Sequence, residues 1–323
     1  DIVEEIVRID GLDNIEIPEA ITLTPAIASN YEAEAYYEKT ANLLTGLGFH
    51  EMMTNSITNA AWFTDEEQEQ MVKMKNSLSA ELNILRNSLF ETAMQVVAHN
   101  LNHKNQHLRL FEFGKSYSTT APGRYQEAEK LCLVISGNNN EDSWKQKSSA
   151  ADIYTLKGTV AAIFKSLGIP MTSIEVSSSE KLEHHLEIKI NKQKIAHAGQ
   201  VNKSIAEKFG IKHSVFFAEL DWALVVSLSI KQTRKVQELP KYPAVQRDLA
   251  LIVKRELNWE QVLQSIQKDK NARLKEVRLF DIFESEKLGK DKKSLAVNFT
   301  FLDEEKTLTD KEIDGWMQKI MTS

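Results

Sequence analysis

Only one cysteine, Cys132, occurs in the 323 residues of this chain. That excludes a disulfide framework and zinc sites built on several thiolates. Its place in the apolar run Leu131 to Ile135 makes it a small buried hydrophobe rather than a reactive thiol. Glycine (12) and proline (6) are sparse, which leaves little material for glycine-rich phosphate loops. Long apolar runs are missing as well. The stretch from Phe216 to Ile230 is interrupted by Glu219 and Asp221, well short of the roughly 18 uncharged residues of a membrane helix. No secretory signal pattern stands at the start, so a cytoplasmic setting is expected. Asp1-Ile2-Val3-Glu4-Glu5 reads as a helix already under way, as expected of a piece of a longer polypeptide.

What is present, 42% hydrophobic and 27% charged residues, is the balance of a globular protein of two or three domains. A net charge of −6 argues against nucleic acid only if it is evenly spread, and it is not. Lys231 to Lys293 holds 16 Lys and Arg against 10 Asp and Glu, a local +6, whereas residues 1–230 carry −9 and residues 294–323 carry −3. An acidic body is joined to a basic module through Leu239-Pro240-Lys241-Tyr242-Pro243, where two prolines favour an extended connector. The expected division is 1–20 as the remnant of a preceding helix-rich domain, 21–231 as a core, and 232–323 as the basic module.

The basic module alternates clearly. Arg247 to Lys254 reads as a strand, and Asn258 with Gln261 as a cap opening a helix Trp259 to Lys268. Val277 to Phe283 follows as a second strand. Leu295, Val297, Phe299 and Phe301 then alternate with smaller or polar residues in a half-buried third strand. Thr309 and Glu312 form a capping box before a helix with Ile313, Trp316, Met317 and Ile320 on one stripe. Strand, helix, strand, strand, helix is a ferredoxin-like split unit without its last strand, which leaves one strand edge unpaired.

The acidic body mixes helices and strands, so an α+β fold with an antiparallel sheet is expected. Helices are expected from about Tyr31 to Leu47 with Ser29 as cap, from Glu81 to His103, and from Asp152 to Leu167 closed by Gly168. Strands are expected at Phe49 to Thr58, Leu108 to Gly114, Leu131 to Ser136, Leu186 to Ile190 and Val215 to Leu220. Familiar catalytic patterns fail. Gly114-Lys115-Ser116 has Arg109 where a phosphate loop needs its first glycine, no GxGxxG exists, and no nucleophile elbow is present. His99, His103 and His107 lie four apart without a glutamate or cysteine partner, which reads as a solvated face.

Several blocks in order resemble the beta subunit of bacterial phenylalanyl-tRNA synthetase. Asn76-Ser77-Leu78-Ser79, Leu85-Arg86-Asn87-Ser88-Leu89, Leu110-Phe111-Glu112-Phe113-Gly114, Tyr154 and Lys157-Gly158 are similar to its class II synthetase-like core. Pro240-Lys241-Tyr242-Pro243, Arg247-Asp248-Leu249, Leu279-Phe280-Asp281 and Lys306-Thr307-Leu308-Thr309 are similar to its ferredoxin-fold anticodon-binding domain. The resemblance implies a part of the ligase that charges tRNA(Phe) using ATP and Mg2+, within a heterotetramer of two alpha and two beta subunits. Active class II folds place an arginine in an Arg-x-Glu strand and another after a run of glycines. Here the matching strand is Leu110-Phe111-Glu112 and no such glycine run exists, leaving Arg86 and Arg109 as the nearby cations. The expectation is therefore a non-catalytic copy that binds the alpha subunit and docks tRNA, with ATP bound elsewhere in the complex. The family's editing module is not among the matching blocks, so editing is not expected. Near Glu183-His184-His185-Leu186 the family's His-Pro-Gly turn is lacking.

By the same resemblance Asp1, Glu4 and Glu5, which share a helix face, correspond to acidic residues that help hold Mg2+ at the alpha-subunit contact. In the basic module Lys241, Tyr242, Arg247, Arg278 and Lys293 are the expected RNA-binding residues, since single strands are read by stacking beside a cationic groove. Two rival readings remain: an autonomous amino-acid-activating enzyme, and a regulatory module whose ferredoxin-like end senses a small molecule.

Overall fold

The computed structural model describes all residues except 21, 25–30, 78, 122, 171–172, 233–237, 269–270, 286–287, 290 and 323. The expected cap Ser29 lies outside the described residues. The chain divides into two compact units, Asp1–Arg234 and Lys235–Ser323. Among the described residues no helix is long and apolar enough to cross a membrane.

The first unit opens with α1 (Ile2–Asp10) and α2 (Tyr31–Gly46). Two short strands follow, β1 (His50–Glu51) and β2 (Ile57–Thr58), then α3 (Asp65–Glu69), β3 (Ile84–Leu85) and α4 (Phe90–Asn102). A long hairpin, β4 (Leu108–Ala121) and β5 (Arg124–Ser136), leads to α5 (Ile153–Leu167). Next come β6 (Ser173–Val176), β7 (Leu182–Ile190), β8 (Gln193–Val201), α6 (Lys203–Lys208), β9 (Val215–Asp221) and α7 (Trp222–Ile230). Seven strands form one sheet in the order β1-β4-β5-β9-β8-β7-β6. Every pair is antiparallel except β1 with β4, so the sheet is mixed rather than wholly antiparallel.

Strand alternation sends two sets of side chains to opposite faces. Phe111, Leu133, Ala218 and Ala196 pack under α2, α5 and α7. Leu110, Val134, Phe217 and Val201 pack toward α4. Leu131 to Ile135 of β5 are all fully buried, as a central strand covered on both faces must be. In α5, Asp152 caps by accepting from the Thr155 amide (2.8 Å), and Gly168 ends the helix in the left-handed region at φ 75. The helix buries Leu156, Val160, Ile163, Phe164 and Leu167, each contributing roughly 1.5–3 kcal/mol.

The expected helix Glu81 to His103 is shorter: residues before Phe90 are extended and turned. Their amides are used elsewhere, Leu85 by the Val72 carbonyl and Arg86 by Ser56, both at 2.9 Å. Long-range bonds override a helical apolar spacing there. The expected single strand Phe49 to Thr58 is two short ones in two different sheets.

The second unit contains β10 (Val245–Lys254), α8 (Trp259–Lys268), β11 (Leu274–Phe283), β12 (Lys292–Phe301) and α9 (Asp310–Thr322). Its antiparallel sheet runs β10-β12-β11, so β12 is central and β10 has one open edge among the described residues. Leu295, Val297, Phe299 and Phe301, all fully buried, meet Val262, Ile266, Ile313 and Met317 of the two helices. At both expected helix starts one half of the capping box is present: the Asn258 amide donates to Gln261 (3.1 Å), and the Thr309 amide to Glu312 (3.0 Å), which also accepts from the Thr309 hydroxyl.

Candidate functional site

The α4-facing side of the large sheet carries a row of polar residues at one level, set by register: Glu112 on β4, Cys132 on β5, Glu219 on β9 and His197 on β8. Each is closed off by the chain itself. Glu112 is 2% exposed and faces Arg86, also 2% exposed. Arg86 donates from Nη1 and Nη2 to Glu112 Oε1, both at 3.1 Å, and from Nε to the Lys115 carbonyl at 2.9 Å. Its Nη1 also reaches the hydroxyls of Thr54 and Thr92, and Thr54 donates its amide and hydroxyl back to Glu112. This packing is why residue 114 is glycine: a Cβ there would lie 2.4 Å from Arg86 Nη2 and 2.9 Å from Leu89 Cδ2.

Glu219 accepts from the Ser88 hydroxyl and the Leu89 amide, both at 2.9 Å, and so fastens the start of α4 to β9. Next to it burial holds the His197 imidazole down to about 4, with Glu219 pulling the other way. At the far side Lys181 places its ammonium 2.7 Å from Glu91 and 3.1 Å from Glu67, between the rings of Phe63 and Phe90. Burial raises the Glu91 carboxyl, countered in part by Lys181, and one Glu91 oxygen has no partner. Burial also raises the Cys132 thiol well above its ordinary value, so it is not a nucleophile. Phe90 packs edge-on against Phe217, and Leu182 sits 2.9 Å from where a Gly199 Cβ would stand, so apolar groups fill the remaining space.

Arg109, the other cation near this strand, spends its guanidinium on the carbonyls of Leu47 and Asn139, both at 2.9 Å, and lies over the Phe49 ring. Of the residues that build this face, Glu219, His197 and Lys181 carry no motif in the sequence. The available signal for Glu219 was a carboxylate inside an otherwise apolar strand, which must find partners once buried.

The carboxylates of α1 are exposed, and that helix buries none of its residues. Glu5 pairs with Arg8 at 2.7 Å. Among the described residues no group of three His, Cys, Asp or Glu is placed to hold a metal, so Asp1, Glu4 and Glu5 do not themselves make the set that the resemblance implies.

In the second unit the five expected RNA-binding residues do not share one surface. Lys241 is exposed and Tyr242 half-buried in the connector. Arg247 has the parity of Leu249, points to the helix side and pairs with Asp310 of α9. Lys293, opposite Val253, is on the same side. Arg278 stands on the open face, opposite Asn298. Register groups that face into rows: Asp248, Asn298 and Arg278; Ala250, Ala296 and Asp281; Ile252, Ser294 and Phe283. Asn298 donates to Asp248 (2.6 Å), while Ile252 and Phe283 are 61% and 57% exposed, flanking the small Ser294. The open face thus carries Arg278 and the exposed Phe283 ring beside Ala250, Ala296 and Ser294, with Asp248 and Asp281 in the same rows. Apolar content alone reads the end of β11 as core; register instead places Phe283 on the open face.

The sequence family described as the phenylalanyl tRNA synthetase beta chain CLM domain matches residues 17–222, and the ferredoxin-fold anticodon binding domain matches residues 240–323. Similar relatives include the phenylalanine–tRNA ligase beta subunits of Bacteroides fragilis (33% identity) and Bacteroides thetaiotaomicron (31%), each over 99% of this chain and 41% of the relative. That of Porphyromonas gingivalis is 30% identical over 100% of this chain and 41% of the relative. The chain thus spans 41% of the length of these curated relatives. Among solved structures, pyrrolysyl-tRNA synthetase from Desulfitobacterium hafniense is similar with a TM-score of 0.48 and 15% identity, over 60% of this chain and 68% of that one.

Proposed function

Because the chain belongs to the family of phenylalanine–tRNA ligase beta subunits, we propose that it serves as the scaffolding and tRNA-docking part of a cytoplasmic ligase that charges tRNA(Phe). The chemistry belongs to an alpha subunit, in a complex with two copies of each chain.

The observation that carries this reading is the closed sheet face. Activation of an amino acid by ATP, in which its carboxylate attacks the α-phosphorus and pyrophosphate leaves, needs cations aligned on the phosphates, because positioning and charge neutralisation are the main catalytic means. Here Leu110 stands two residues before Glu112, Arg86 is consumed by buried acceptors, and Arg109 by two carbonyls. Arg86 could serve a nucleotide only by breaking a buried pair, and Arg109 only by giving up two carbonyls. What the first unit supplies is a rigid body. ATP and Mg2+ belong to the whole complex, and magnesium at α1 requires ligands beyond Asp1, Glu4 and Glu5.

The second unit meets RNA through its open face, with Phe283 stacking a base and Arg278 contacting base or phosphate. Lys241 and Tyr242 extend the contact from the connector, and Arg247 and Lys293 support the strand ends. Titration of labelled tRNA(Phe) at low salt tests this, since phosphate contacts give steep salt dependence. Phe283→Ala and Arg278→Ala should each weaken binding several-fold, with losses of about 1–3 kcal/mol per stacked base. Unchanged binding in both variants overturns the assignment of the face. Phenylalanine-dependent pyrophosphate exchange by this chain alone overturns the non-catalytic reading.

A further inference from the structure

Charge on the first unit is segregated more sharply than its total suggests. Four exposed lysines, Lys104, Lys203, Lys208 and Lys212, fall in two short segments, residues 98–107 and 202–214, which hold a single carboxylate, Glu207. That is a local +3, so the remainder of residues 1–230 carries −12. Four of the eight histidines, His99, His103, His107 and His213, stand in the same segments, all of them exposed.

Sheet register brings the two segments to one end of the unit. Leu108 at the start of β4 pairs with Ser136 at the end of β5, Ser136 with Val215 at the start of β9, and Gln200 near the end of β8 with Phe216. The chain therefore passes from α4 into β4 at the same end where it leaves β8, runs through α6 and enters β9. Helix α6 lies on the α4 side, since Ala206 and Ile211 share a core with Met94 and Val97. Both segments are tied down. Ser136 Oγ donates to the Ser214 carbonyl (3.0 Å), and the Asn138 amide donates to His107 Nδ1 (3.0 Å). Gly137, at φ 85, leaves room for the Gln106 carbonyl, which would lie 2.1 Å from an added Cβ.

Two kinds of recognition group meet at this end. Elsewhere on the unit Lys115, Lys130, Lys181 and Lys194 are answered by carboxylates within 3.4 Å. Among the described residues Lys104, Lys208 and Lys212 form no ion pair, and Lys203 meets Glu207 only at 4.0 Å. Lys203, Lys212 and His213 line a cleft of about 550 Å³ whose apolar lining is Val201, Ala206 and Ile211. At the end of α4 the rings of His99 and His103 stack at 4.3 Å, joined by His103 Nδ1 donating to the His99 carbonyl (2.7 Å). Unanswered cations on an acidic body attract a polyanion, and exposed imidazole faces stack unpaired bases. An acidic protein would match the lysines alone, whereas the open ring pair and the cleft, in the size range of small-ligand sites, favour RNA. We propose that this end of the first unit is a second RNA-docking surface, where the four lysines hold backbone phosphates and the His99–His103 pair stacks an unpaired base. It rests on the reading of the chain as a tRNA-docking subunit and adds a contact outside the anticodon-binding match at residues 240–323.

The test titrates labelled tRNA(Phe) with the full chain across a series of salt concentrations. Wild type is compared with the triple variant Lys104→Ala, Lys208→Ala, Lys212→Ala and the double variant His99→Ala, His103→Ala. Thermal melts check that both fold, as exposed substitutions should. The triple variant is expected to weaken binding roughly 10-fold or more at low salt and to reduce the slope of log K against log[salt] by about 2–3, since each phosphate contact contributes a little under one. The double variant should lose about 5-fold or more, the factor for one stacked base. Photocrosslinking of tRNA(Phe) carrying 4-thiouridine should label peptides from residues 98–107 or 202–214. Unchanged affinity and slope in the triple variant, with Arg278→Ala and Phe283→Ala still weakening binding, overturns this surface and leaves the tRNA-docking reading standing. Failure of the wild-type chain to bind tRNA(Phe) removes both. Weakened binding of the purified alpha subunit by the triple variant, with tRNA binding unchanged, assigns the cations to a protein and likewise overturns the proposal.

Discussion

Replacing Arg86 by methionine tests whether the closed sheet face is a structural network. Methionine keeps much of the volume but removes five donated contacts, two to Glu112, one to the Lys115 carbonyl and two to the Thr54 and Thr92 hydroxyls. Glu112, 2% exposed, then keeps only the Thr54 amide and hydroxyl as donors. Removing one member of a buried ion pair costs about 3–5 kcal/mol, because the remaining charge is desolvated without compensation. Replacing both by apolar groups is often close to neutral, so Arg86→Met with Glu112→Met should recover most of the loss. A coupling of about 3 kcal/mol is therefore expected in the double-mutant cycle. Urea unfolding followed by circular dichroism and fluorescence reads it out. At roughly 1–3 kcal/mol per molar urea, the single variant should lose about 1–2 M in midpoint at an unchanged slope. If Arg86→Met stays within about 1 kcal/mol of wild type, or the two changes simply add, Arg86 is not committed to the fold and could serve a ligand after all.

Three further outcomes follow from the same geometry. Gly114→Ala must push Arg86 or Leu89 aside and should destabilise by about 1–3 kcal/mol, while Gly158→Ala should stabilise by about 0.5–1 kcal/mol; paired thermal melts compare them. Burial lowers His197 to about 4, among Glu219, Lys194, His185 and Lys130. Between the ordinary histidine value and about 4 the unfolded chain binds the extra proton, so stability is intact above about 6.5 and falls by up to about 3 kcal/mol as pH drops through that window. His197→Gln should flatten that slope in denaturant midpoints measured from pH 7 to 4. Lys181→Met leaves Glu91 buried without its cation and should cost about 2–4 kcal/mol; adding Glu91→Gln should restore much of it, and no restoration would show that Lys181 acts through packing alone.

Much of the second unit is legible locally. The alternation of Leu295 to Phe301 and the pairings of Asn258 with Gln261 and Thr309 with Glu312 each involve residues a few positions apart; the structure reproduces the alternation and, of each capping box, the bond from the cap residue's amide. Even the inward direction of Arg247 follows from its parity with Leu249. The closed face of the first unit is different. Glu112 lies 26 residues from Arg86, and Glu219 lies 130 from the Leu89 amide, so no local pattern announces either contact.

By itself the sequence determined the family, the helices and strands with strong local periods, and the split between an acidic body and a basic module. Only the tertiary structure decided which charges are free. Arg86 and Arg109 look like available cations until the fold brings buried Glu112 to the first and the carbonyls of Leu47 and Asn139 to the second, and Phe283 looks like core until register places it on the open face. Periodicity assigns a side chain to a face. Which distant groups meet it there depends on strand order and register, and these are set by the whole chain.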